Sequence, residues 1–186
     1  GRFGVVSDTL WKNTVLDFDP YTGRYEAEYS LMRWFDDIQN DFAARADWCI
    51  ASKYEDANHA PKVSVKEGID LTAKAGETIV LNATAEDPDN DEVSFKWWHY
   101  AEADTYEESK VEKNDVVEEM NMGLLFSINR ELADGEVVDN IELKGAETST
   151  VEFKVPEDAK SGDTIHIIVE AIDNGKFNLK HYQRVI

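Results

Sequence analysis

The sequence predicts a mainly β protein, an antiparallel β-sandwich over residues 61–186, with a helical extension in residues 1–60 packed against it. Three observations carry this reading. Beyond Pro61, short segments of alternating apolar and polar residues recur between turn signals, the pattern of a two-layer β fold. Residues 31–49 instead repeat apolar side chains at three- and four-residue steps, the period of a helix. Ala83 to Tyr100, ATAEDPDNDEVSFKWWHY, reads as a strand, an acidic corner containing Pro88, and a second strand bearing a Trp pair.

The elements follow in order. Residues 1–29 are aromatic-rich and turn-rich, with no sustained period, and are expected to be irregular. Leu31, Phe35, Ile38, Phe42, Ala46 and Cys49 then form one apolar stripe, with Asp36, Asp37, Gln39, Asp41 and Arg45 on the remaining surface. That stripe is expected to lie on the sheet, with Trp34 and Trp48 flanking it and Cys49 buried as a small hydrophobe. Pro61 marks the boundary. Strands are expected around Val63–Val65, Ile79–Ala85, Val93–Trp98 and Val151–Val155, and less regularly at Met122–Ile128 within an elaborated connection. Thr164 to Ile172 is apolar on both faces, so it should be a central strand covered on each side. Asp173-Asn174-Gly175 turns the chain into a last strand, Phe177 to Ile186.

Composition bounds the function. Of 186 residues, 39 are Asp or Glu against 19 Lys or Arg, a net charge of −20. Such a surface repels nucleic-acid phosphates and anionic lipid, so neither is an expected partner. A single cysteine excludes an internal disulfide, and no apolar run has the length of a membrane span. The opening Gly-Arg-Phe-Gly carries no export signal and reads as the middle of a longer polypeptide. There is no Gly-rich phosphate loop, nucleophile elbow or Cys/His couple, and the four histidines (His59, His99, His166, His181) lack metal-ligand spacing. His166, on the central strand, reads as a core or interface residue. No carboxylate pair for glycoside cleavage stands out among so many acids.

Two constellations could carry chemistry. Asp87, Asp89 and Asp91 alternate through the corner, and Asp173 would lie at the same end of a sandwich. They read either as turn residues bonding nearby backbone N–H groups or as a calcium site. Trp97 and Trp98 must point to opposite faces of one strand. Trp97, in phase with Val93 and Phe95, belongs in the core, as the buried Trp of immunoglobulin-type sandwiches does. Trp98 and Tyr100 share the other face. If exposed, they form with Tyr106 an aromatic platform for stacking sugar rings. If the helix lies over them, the same face is an internal interface.

Four stretches in matching order, RWFDDIQNDFAARADWC (33–49), DANHAP (56–61), DPDNDEVSFKWWHYAEADTY (87–106) and TIHIIVEAIDNG (164–175), resemble the C-terminal region of a bacterial cellulose-binding family. In that family a nucleoside-hydrolase-like domain precedes an immunoglobulin-like sandwich. The resemblance implies a noncatalytic accessory module of an exported (secreted, periplasmic or cell-surface) carbohydrate-related protein. Its partners would be the preceding hydrolase-like domain and a polysaccharide such as cellulose. The family's hydrolase aspartates have no counterpart in this chain, so the resemblance implies no catalytic residue and no cofactor beyond the calcium considered above. A spacer with no ligand of its own is the alternative.

Overall fold

The computed structural model describes residues 6–7, 10–11, 17–19, 24–26, 29–106 and 141–186. Two small antiparallel hairpins come first, β1 (Val6–Ser7) with β2 (Leu10–Trp11), and β3 (Asp17–Asp19) with β4 (Arg24–Glu26). No period is legible there, because strands of two or three residues are too short to show one. A helical turn α1 (Tyr29–Met32) leads into α2 (Phe35–Trp48), whose first turn carries Asp36 and Asp37 at the positive end of the helix dipole. The expected strand at Met122–Ile128 falls outside the described residues.

Two three-stranded antiparallel sheets follow. One has the order β5 (Lys62–Val65), β6 (Thr78–Glu86), β8 (Thr150–Lys154). The other runs β10 (Lys180–Val185), β9 (Ile167–Asp173), β7 (Val93–His99). Alternation decides which side chains meet between them. Val63, Val65, Leu81, Ala83, Val151 and Phe153 come from the first sheet, and Trp97, Ile167, Val169, Ala171 and Val185 from the second. Each such side chain contributes about 1.5–3 kcal/mol on leaving water. The Trp pair divides as its spacing requires. Trp97 is 2% exposed in the core and donates its indole N–H to the Thr148 carbonyl at 2.9 Å, while Trp98 lies on the outer face.

β9 is the central strand, flanked by β7 and β10, and its residues are buried on both faces. On that outer side α2 is bonded to the neighbouring strand β10, but not by the stripe that the sequence singles out. Leu31, Phe35, Ile38, Phe42 and Cys49 are exposed, Phe42 to 69%, and Ala44 is the helix's one buried residue. The helix is held instead through Trp34 just before it, through Asp37, which bonds β10, and through Asp47 and Trp48, which bond the segments beside the strands. The reason lies in the sheet. Its outer row places Lys96, Glu170 and Tyr182 side by side across three strands, beside Lys180. Such a face needs polar partners, and Asp37 supplies them by accepting from the Tyr182 hydroxyl and from Lys180 at 3.0 Å. Asp47 pairs with Lys176 at 2.9 Å, and the Trp48 indole donates to the Asn58 carbonyl at 2.7 Å. Cys49, expected inside, is on the surface.

Candidate functional site

The face bearing Trp98 is a seam. The Trp34 ring lies 5.7 Å from Trp98 at 46° and 6.5 Å from Tyr100 edge-on. Trp34 also meets Tyr182 edge-on at 5.3 Å. The Arg33 guanidinium sits 4.9 Å from the Trp98 ring and 5.1 Å from Tyr100, and forms an ion pair with Glu102 at 3.0 Å. A guanidinium over several rings, with its charge balanced, is worth roughly 0.5–2 kcal/mol per contact in partly dry surroundings. Trp98 and Tyr100 are inclined at 64° to each other, and both are half-buried, so they meet Arg33 and Trp34 where a flat sugar platform would need parallel open rings. Tyr106 is 3% exposed and donates its hydroxyl to Asp158 at 2.7 Å.

Replacing Arg33 by Ala is expected to loosen this seam. Fluorescence of the Trp34–Trp98 pair should shift to the red and α2 exchange its amide hydrogens faster, with the sandwich core unaffected. Unchanged exchange in α2 would show that the guanidinium contributes nothing to the seam.

The corner loop gathers oxygens but commits most of them. Asp87 Oδ1 accepts from the backbone N–H groups of Asp89 at 2.8 Å and Asp91 at 3.0 Å. Asp89 accepts from the His59 backbone at 2.6 Å and faces its ring nitrogen. Asp173 Oδ1 accepts from Gly175 and Leu179, both at 3.0 Å, and its Oδ2 from the Asn58 amide at 3.0 Å. Asn90 holds the left-handed φ of 65° that a tight corner demands. Asp87 Oδ2 is buried with no partner. Among the described residues no three His, Cys, Asp or Glu side chains are gathered so as to hold a metal ion. The bonds of Asp89 and Asp173 link the corner and the end of the central strand to residues 58, 59 and 175–179.

Beneath the end of β7 lies a buried polar group that the sequence pass did not assemble. His99 and Asp104 meet at 2.6 Å with both side chains wholly enclosed, and Asp104 also accepts from the His166 backbone N–H at 2.7 Å. His166 is 8% exposed and its Nδ1 has no hydrogen-bond partner. Burial pushes the His166 imidazole below its ordinary value of 6.5, Asp104 pulls the other way, and Arg184 and His99 add to the lowering. A group depressed in the folded state stabilises above its unfolded value and loses that contribution as pH falls through the folded one. Urea midpoints should therefore decline as pH drops below about 6.5, less steeply in His166→Gln. Parallel declines in the two proteins would refute the assignment.

Two openings stand out among the described residues. The larger, about 400 Å³, lies between the sheets and is walled mainly by apolar groups such as Leu71, Ile79, Phe153 and Ile165. The smaller, about 280 Å³, separates α2 from β10 and is lined by both polar and apolar side chains. No helix among the described residues is long and apolar enough to cross a membrane.

Two antiparallel sheets over one core, with the aromatic outer face of one closed by a helix, define a β-sandwich module. Residues 78–186 match the family of the C-terminal domain of cellulose-binding protein Sde0182, and the chain belongs to that family. β5, which pairs with β6, precedes the matched stretch. A solved structure is also similar: a nucleoside hydrolase-related hypothetical protein from Saccharophagus degradans, associated with carbohydrate metabolism. Its TM-score is 0.61 at 33% identity, and the similarity covers 82% of this chain. The chain spans 31% of that protein's length. No curated protein matches.

Proposed function

We propose that this chain is a noncatalytic accessory module, an immunoglobulin-like sandwich within an exported carbohydrate-related protein, that braces a neighbouring hydrolase-related domain of the same polypeptide. The observation that carries this reading is the exposure of Phe35, Ile38 and Phe42 on α2, with Leu31 on the preceding turn α1, while Asp37 of the same helix is bonded to the sandwich. Isolated soluble domains rarely present a contiguous apolar face, and one that does marks an interaction surface. Similarity to a protein of which this chain spans 31% supports this choice of partner, because the rest of such a polypeptide is tethered close by. The closed seam around Trp98 supports bracing, because it fixes the stripe relative to the sheets.

The exposed thiol of Cys49, at the end of the stripe, reports on its coverage. In the full-length gene product, maleimide labelling of Cys49 should be at least tenfold slower than in the 186-residue chain, and Phe42→Glu should restore it. Equal labelling in both proteins would remove the bracing role. A dimer of the 186-residue chain that Phe42→Glu dissociates would assign the stripe to a second copy instead. Assayed by itself, the chain should hydrolyse neither glycans nor nucleosides, and turnover abolished by a point substitution in the chain would overturn the noncatalytic assignment.

A further inference from the structure

The cleft between α2 and β10 is unlike the rest of the surface. Its walls bring together Asp37, Asn40 and Asp41 from the helix with Asn178, Lys180 and Tyr182 from the end of the chain, around about 280 Å³. That volume lies just below the range of small-molecule pockets, which starts near 300 Å³, so it suits a single small unit more than a flat surface. Asp37, Lys180 and Tyr182 are held by one another, and Lys180 reaches on to Glu170 at 3.4 Å. They are therefore oriented before any ligand arrives. Among the described residues the side-chain amides of Asn40 and Asn178 bond to no protein group, so these two lining residues offer four N–H donors and two carbonyl acceptors. Asn178 is fixed there by a left-handed φ of 47°, directly after Phe177 at 77°. Backbone strain of this kind persists only where the surroundings impose it.

Carboxylates beside carboxamides match a ligand that both donates and accepts at adjacent positions. Vicinal hydroxyls do so, donating to a carboxylate oxygen and accepting from an amide N–H. The charges oppose an anion, since Asp37, Asp41 and Glu170 outnumber Lys180 and Arg45 locally and the chain as a whole carries −20. The apolar parts of Ile38, Ala60 and Leu179 complete the lining and suit the CH groups of a sugar ring. We propose that this cleft binds a neutral saccharide unit, gripping vicinal hydroxyls between the helix and the residue 178–182 segment. The assignment names a ligand site for the carbohydrate-related reading given above and rests on that reading.

The test is a calorimetric titration of the 186-residue chain with cellohexaose, against a double variant, Asn40→Ala with Asn178→Gly. Ala suits the helix, and glycine accepts the left-handed conformation, so the fold should survive as judged by circular dichroism. Binding by the parent chain, weakened at least tenfold in the variant, is the expected result. Equal affinity in the two proteins would overturn the cleft, by showing that the sugar docks elsewhere. Absence of any cellohexaose binding by the parent would overturn it as well, while leaving the bracing role to stand or fall on Cys49 labelling. Displacement of cellohexaose by spermidine at low micromolar concentration would assign the carboxylates to a cation and likewise refute the proposal.

Discussion

Trp97→Ala should lower the stability of the sandwich by about 3–5 kcal/mol, the range for emptying a large aromatic site in a core that cannot collapse around the loss. Trp97 is the largest side chain fully enclosed between the sheets, and it spans from β7 across to the loop before β8. Its removal withdraws the aromatic volume between Val151 and Val169 and strands the Thr148 carbonyl that accepts its N–H. Trp97→Phe separates the two contributions, since it restores most of the volume without the donor and should recover more than half of the loss. Urea unfolding followed by far-ultraviolet circular dichroism measures both. A loss below 1 kcal/mol in the alanine variant would mean that the two sheets do not depend on this residue to stay together. Trp98→Ala, one position along, should cost less, because Trp98 holds the helix and not the sheets. That contrast between adjacent indoles is the sharpest mark of the strand's two faces.

The strands were legible because alternation is a local property. In β5, β6, β7 and β8 the residue that should point inward does so, and the two-sided apolar run of β9 did mean a strand covered on both faces. The helix was legible as a helix but its orientation was not. A period of 3.6 residues shows that Leu31, Phe35, Ile38 and Phe42 share a face; it is silent on whether that face meets this sheet or another surface. The deciding partners, Glu170, Lys180 and Tyr182, lie far along the chain, and only the register of β9 against β10 makes them one polar patch. The cleft was illegible for the same reason. Asn40 and Asn178 have no sequence relation, and single polar residues on a helix and a turn look like ordinary solvated surface. The acidic corner showed its residue types but not their use, since the bonds that occupy Asp89 and Asp173 come from His59 and Asn58, outside the motif. The DANHAP stretch carries a further signal: it places an Asn and a His just before the first sandwich strand, where side chains can reach a neighbouring corner.

Asp173→Ala should be the most damaging change outside the apolar core, by about 3 kcal/mol. Asp173 is 2% exposed and ends β9. It accepts two backbone N–H groups from the turn that follows and the Asn58 amide from the segment before the sandwich, and each donor left buried without a partner costs about 1–3 kcal/mol. Asn58 would retain the Lys176 carbonyl at 2.8 Å, which keeps the estimate at the lower end of the sum. Asp173→Asn should do intermediate harm: its carbonyl still serves the two backbone donors, but its NH₂ then faces the NH₂ of Asn58. Burial raises the Asp173 carboxyl above its ordinary value of 3.8, its three hydrogen bonds lower it, and the nearby Asp87 adds to the rise. A raised carboxyl stabilises the fold below its unfolded value, and the contribution fades as pH climbs through the folded one. The parent chain should therefore lose less stability than Asp173→Ala on going from pH 6 to about pH 4. With Asp89 and Asp173 already bonded to protein groups, the corner should not respond to calcium. Thermal midpoints in millimolar calcium and in EDTA should coincide, whereas a ligand present at 100 times its Kd would add about 2.7 kcal/mol. A clear rise with calcium, lost in Asp87→Asn, would show instead that the unpartnered Asp87 oxygen is kept free for an ion.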